Sequence, residues 1–193
     1  MNVVTVSAEN VCKMYDDKIV LKNFHCKLYS GSVTAVTGPN GSGKSTLLKV
    51  LSGLTSPSAG KIHREKNHNV SFVSAEVNPY GELSLKDNSR LITGSSKTCG
   101  TMLMDYLEKF SLTGKLNDSY NKLSSGMKQK FKLAAAMSRD SEIMFLDEPS
   151  LSLDVNSKKI FFEIIKGLKN KTIVIATNDP EESSLCPDKI SLQ

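Results

Sequence analysis

An α/β protein with a mostly parallel core sheet is what this sequence predicts, and three observations carry that prediction. Val33–Thr37, Ile143–Leu146 and Thr172–Ala176 are short apolar runs of the length buried parallel strands have. Stretches with one apolar helical face alternate with them. Leu47, Leu48, Leu51 and Leu54 come after the first strand, and Ile160, Phe161, Ile164, Ile165 and Leu168 lie between the other two. Strands alternating with helices in this way imply crossover connections and a parallel sheet.

Val3–Val11 and Phe24–Tyr29 alternate loosely between apolar and polar residues, as half-buried antiparallel strands do, with Asp16-Asp17 as a turn between them. They predict an antiparallel β subdomain. Gly53, with Pro57 soon after, stops the first helix. Asn69–Ser74 reads as a further strand. The stretch from Leu85 to Asn121 is helical and polar in turn, with Gly94, Gly100 and Gly114 as breaks, and Ser124–Arg139 reads as a helix. Together these give a single domain over 1–193 with a small helical subdomain at about 85–140.

Composition excludes several classes. The 193 residues are 39% hydrophobic and 23% charged, which suits one compact domain and not a disordered chain. No run approaches the roughly 18 apolar residues of a membrane-crossing helix. The start, Met1 to Thr5, lacks the basic-then-apolar pattern of a secretion signal. Cys12, Cys26, Cys99 and Cys186 are scattered, without metal-ligand spacing, which points to reduced thiols in the cytoplasm. The net charge of +5 comes from lysines spread along the chain, so nucleic acid is not the expected partner.

Gly38-Pro39-Asn40-Gly41-Ser42-Gly43-Lys44-Ser45-Thr46 matches G-x-x-x-x-G-K-S/T, and it lies between a strand and a helix as that motif requires. Its glycines let successive backbone N–H groups point inward at phosphate oxygens, and the helix start adds its positive dipole. Lys44 would neutralise the β- and γ-phosphates of ATP, and the Ser45 hydroxyl would bind Mg²⁺. In Ile143-Met144-Phe145-Leu146-Asp147-Glu148-Pro149 an apolar strand ends in a carboxylate suited to Mg²⁺. Glu148, one residue on, stands where a general base for an attacking water is needed. The fold expected is therefore that of a P-loop NTPase.

Leu123-Ser124-Ser125-Gly126-Met127, with Lys128-Gln129-Lys130 directly after it, resembles the L-S-G-G-Q signature of the ABC ATPases, and the resemblance covers essentially the whole chain. It implies that Ser124, Ser125 and Gly126 bind the γ-phosphate held by another subunit, so that ATP is sandwiched in a homodimer or a paired ABC subunit. Tyr15 matches the aromatic that stacks on adenine. Ser152-Leu153-Asp154 matches the S-A-L-D segment, with Asp154 at the dimer interface. Ala176-Thr177-Asn178-Asp179 stands where the family commonly has A-T-H-D.

The departures are specific. Asn178 replaces the switch His, keeping a hydrogen-bond donor for the γ-phosphate but no titratable proton. Ala75 takes the place of the family's Gln, with Glu76 adjacent as a substitute. Met127 replaces Gln and Ser125 replaces Gly. With Asp147 and Glu148 intact, the expectation is an active, slow ATPase.

Ser74–Ser84, Ser124–Gln129 and Asn178–Glu182 are similar to a subgroup of small ATPases that includes the haem-exporter ATPase of bacterial cytochrome c maturation. The resemblance implies coupling to a separate transmembrane permease, on the inner face of the cell membrane. Two other readings stand beside it: a soluble ABC ATPase acting on nucleic acid or ribosomes, and a slow nucleotide-dependent regulator. Neither a long coiled coil nor a tandem second domain, which would favour the first of these, is present in the sequence.

Overall fold

The computed structural model describes residues 3–64 and 68–193, and the chain divides into two compact units. The first takes in the described residues of Met1–Phe72 together with Ser141–Glu148 and Leu168–Gln193; the second comprises Val73–Asp140 and Pro149–Gly167.

The first unit opens with the hairpin β1 (Val4–Tyr15) and β2 (Lys18–Tyr29), turning at Asp16-Asp17 as the sequence predicts. Both strands run further than their alternation indicates, because bulges interrupt the period. Asn10 and Asn23 take positive φ (51° and 46°), and the Asn23 N–H donates to Cys12 Sγ at 3.3 Å. β4 (Ala59–Arg64) pairs antiparallel with β1 on its other side and closes a three-stranded sheet in the order β2-β1-β4.

The core sheet has the order β5-β6-β7-β3-β8, from β3 (Val33–Thr37), β5 (Val70–Val73), β6 (Ile143–Asp147), β7 (Thr172–Ala176) and β8 (Asp188–Ser191). The ladders β3–β7, β3–β8 and β6–β7 are parallel. Every residue of β7 and the first four of β6 are buried, which explains their unbroken apolar character.

α1 (Lys44–Ser52) packs against β6 and β7 of the core sheet and against β1 and β2 of the other. Its Leu47, Leu48 and Leu51 are fully buried in one core with Val6, Leu28, Val36, Phe145 and Val174. Each such leucine contributes about 1.5–3 kcal/mol of burial. Leu54 does not join that face: Gly53 caps the helix at φ 81°, and Leu54 beyond it is 59% exposed.

The second unit is helical: α2 (Leu85–Thr93), α3 (Lys97–Lys109), α4 (Ser125–Ser138) and α5 (Val155–Gly167). Ser84, Ser96 and Ser124 cap the first three, each accepting the N–H of the third helical residue. Gly94 ends α2 as expected, but Gly100 lies inside α3. A helical glycine costs only about 1 kcal/mol, less than the buried face of Leu103, Tyr106 and Leu107 supplies. α3 packs on α4, whose Phe131 is wholly buried.

Candidate functional site

Three strand ends of the first unit run level. Val36 pairs with Ala176, and Ala176 pairs with Asp147. The backbone holds this register one step further: Glu148 N–H donates to Ala176 O at 2.9 Å, and Thr177 N–H donates to Val36 O at 3.0 Å. The residues just beyond the three strands therefore gather at one sheet edge: the loop 38–43 after β3, Glu148 after β6, Asn178 after β7. Ligands of open α/β sheets bind at such carboxyl edges. Thr37, Gly38, Pro39, Thr177, Asn178 and Asp179 line a concavity there.

The loop is shaped to leave backbone donors open. α1 starts at Gly43 with no side-chain cap, so its first N–H groups are left for a ligand. At Gly38, φ is 149° and a Cβ would come within 2.5 Å of the Leu192 carbonyl oxygen, so only glycine fits. Lys44 is 6% exposed and folds across the loop, donating to Gly38 O at 2.8 Å and Pro39 O at 3.1 Å. Ser42 Oγ is buried with no hydrogen-bond partner among the described residues.

Asn178 Nδ2 donates to Asn40 Oδ1 at 2.6 Å, tying the end of β7 to the phosphate-type loop. Glu148 carries φ 47°, a left-handed conformation that costs a non-glycine residue about 1–3 kcal/mol and that clusters at working sites. A Mg²⁺ fits the donor set: Ser45 in the first turn of α1 and Asp147 at the end of β6 offer hard oxygens, on two elements that pack together. Tyr15 ends β1, 43% exposed, with Lys13 Nζ 4.9 Å from its ring centroid.

The second unit holds the remaining predicted residues. Ser124 Oγ accepts the Met127 N–H at 3.3 Å, and Ser125 and Gly126 form the first turn of α4. A Cβ on Gly126 would meet the Ser152 carbonyl oxygen at 2.7 Å, so this glycine lets the segment 149–154 close against the helix start. Asp154 is fastened twice. Lys130 Nζ lies 2.7 Å from its Oδ2, and Ser157 N–H donates to its Oδ1 at 2.9 Å. The Lys130 ammonium first, and then the Ser157 donors, hold the Asp154 carboxyl well below the usual carboxylate range. Buried Gln129 Nε2 donates to Pro149 O at 2.8 Å.

The predicted residues thus fall into two sets. Tyr15, Gly38 to Thr46, Asp147, Glu148 and Asn178 belong to the first unit, and Ser124, Ser125, Gly126 and Asp154 to the second. Gln129 and Lys130 follow the signature in the sequence, which gives them no role of their own. They occupy one helical turn beyond Gly126, and only the fold shows which segment they hold.

Residues 21–151 match the family model described as ABC transporter. Nod factor export ATP-binding protein I of Rhizobium leguminosarum bv. viciae is 30% identical over 97% of the chain, which spans 65% of that relative's length. The corresponding protein of Burkholderia orbicola is 31% identical, with 98% of the chain and 68% of the relative covered. The zinc import ATP-binding protein ZnuC of Vibrio parahaemolyticus is 30% identical over 86% of the chain and 63% of its own length. Among solved structures, an ATP-binding subunit of an ABC transporter superposes with a TM-score of 0.88 at 25% identity, covering 98% of this chain and 86% of that one. A dimeric ATP-binding cassette bound to ADP and Pi shares the fold at the same TM-score and 24% identity, covering 98% and 94%. The chain belongs to the ABC transporter family, in its ATP-binding part.

Proposed function

We propose that this chain binds and hydrolyses ATP with Mg²⁺, and that two copies, or this chain and a paired ABC subunit, close over the nucleotide to drive a separate transmembrane permease. The observation that carries the reading is the level register of β3, β6 and β7, which gathers the loop 38–43, Glu148 and Asn178 at one edge.

Lys44 exchanges its contacts with the Gly38 and Pro39 carbonyls for β- and γ-phosphate oxygens, assisted by the open N–H groups of α1. Ser45 and Asp147 would hold Mg²⁺, which would supply positive charge to the phosphate oxygens. Glu148 takes a proton from the attacking water. Asn178 releases Asn40 and donates its amide hydrogen to the γ-phosphate. Tyr15 stacks on adenine. Ser124 and the first turn of the partner copy's α4 close the site from the other side, with Asp154 at the seam.

Two of the relatives are named for export of Nod factor and import of zinc, so an ATP-binding protein of this kind serves transport in either direction. The proposal takes ATP-driven transport from them and no cargo, and places the chain on the inner face of the membrane. Among the described residues no helix is long and apolar enough to cross it. A narrower reading, haem export, rests on the three short segments Ser74–Ser84, Ser124–Gln129 and Asn178–Glu182. Ala75 and Asn178, in place of Gln and His, favour slow turnover and keep a nucleotide-dependent regulator as the second reading.

Steady-state phosphate release decides between them. Glu148→Gln should lower turnover by about 10²-fold or more, as loss of a general base does, while ATP binding survives or tightens. Asn178→Ala should cost less. Near-normal turnover in Glu148→Gln would remove the carboxylate from the chemistry and put the regulator first.

A further inference from the structure

Lys132 lies on α4, eight residues past Ser124, about 12 Å along the helix axis. It is half-buried, and burial lowers the pKa of its ammonium. A lysine stem that only covers apolar surface keeps its head in water. This head does not. Lys132 Nζ donates to Ser74 O at 2.7 Å and lies 3.4 Å from Asn78 Oδ1. Asn78 is the hub of the loop 74–78. Its Nδ2 donates to Ala75 O at 3.1 Å and Glu76 O at 3.3 Å, and its Oδ1 also accepts from the Tyr120 hydroxyl at 3.2 Å.

Tyr120 is itself fixed. It is 3% exposed, its ring centroid lies 6.1 Å from that of Phe131, and Lys128 Nζ stands 5.5 Å over the ring. Phe131, Lys128 and Lys132 are all on α4. The helix that begins at Ser124 and Gly126 therefore grips the loop containing Ala75 and Glu76 at two points, with Tyr120 and Lys132 as the jaws. An ammonium on a backbone carbonyl in a partly desolvated place is a strong, short tie.

We propose that Lys132 is a positioning residue, which clamps the loop 74–78 to α4 so that loop and helix start move as one piece when two copies close over ATP. The proposal rests on the ATPase reading. It acts through geometry only: Lys132 belongs to the second unit and the loop 38–43 with Lys44 to the first, so nucleotide binding by one copy should not need it.

Lys132→Met keeps the stem and removes the donor; Lys132→Arg keeps a cationic donor. For Lys132→Met, kcat for ATP hydrolysis should fall about tenfold with KM for ATP within about twofold, the size typical of lost coupling between sites. Lys132→Arg should recover most of kcat. Asn78→Ala should mimic Lys132→Met, and the double variant should lose no more than either alone. Wild-type kcat in Lys132→Met, or additive losses in the double variant, would overturn the clamp.

Hydrogen–deuterium exchange at the amides of 74–78 gives a readout that does not need turnover. Faster exchange in Lys132→Met at unchanged exchange elsewhere supports the clamp, and unchanged exchange at 74–78 overturns it. If the wild type showed no turnover that Lys44→Ala abolishes, the ATPase reading would fall while the exchange result still judged the clamp.

Discussion

The chain starts two helices at places suited to phosphate, and it builds them differently. α1 begins at an uncapped left-handed glycine, Gly43, and its first residue is a buried lysine. α4 begins at Ser124, which already satisfies the Met127 N–H, and its first three residues carry no charge. An uncapped start with a cation beside it can hold a polyanion by itself. A capped, uncharged start offers fewer open donors, so it can add to a phosphate that something else holds but cannot capture one. On the proposed function, the asymmetry suits capture by the first unit and closure by the second.

The strongest way to break this contrast is at Lys44. Lys44→Ala removes the only charged side chain in the loop and should abolish tight ATP binding, read by titrating a fluorescent ATP analogue. Unchanged affinity would mean that capture does not occur at α1.

A smaller effect sharpens the closure side. Asp154 is held below the ordinary carboxylate value of 3.8 by Lys130 and by the Ser157 donors. A depressed folded-state value adds stability that is present above the ordinary value and is lost as pH falls through the folded one. Asp154→Asn should therefore change the melting temperature little at neutral pH, since the carboxylate is 57% exposed, and should flatten part of the decline seen on acidification below about pH 4. An acid decline identical to the wild type would show that the pair carries no such linkage.

The same contrast explains what was legible in the sequence. The loop 38–46, Asp147-Glu148 and Ser124–Gly126 stood out because phosphate chemistry fixes both the residue types and their spacing. Buried strands such as Ile143–Leu146 were legible because nothing polar interrupts them. Two edge strands were not: β4 reads Ala-Gly-Lys-Ile-His-Arg with most residues exposed, and β8 has only four residues, without an apolar period. The five-residue helix α6 (Pro180–Ser184) is too short to show one. Bulges at Asn10 and Asn23 broke the alternation that would have extended the hairpin. Lys132 was invisible for another reason. On a helix reading Met-Lys-Gln-Lys-Phe-Lys it looks like solvated charge, and only the course of the loop 74–78 shows where its ammonium ends.

Capture by one copy and closure by another is the central claim, and mixing two crippled proteins tests it most directly. Lys44→Ala leaves α4 intact, and Ser124→Arg leaves the Lys44 loop intact while crowding the closing helix start. Each alone should hydrolyse almost no ATP. A one-to-one mixture pairs a good loop with a good α4 at one site of each mixed dimer, and should recover about a quarter of wild-type phosphate release if copies pair at random and sites act independently. A mixture as inactive as its parents, or full activity in Ser124→Arg alone, would contradict the shared site.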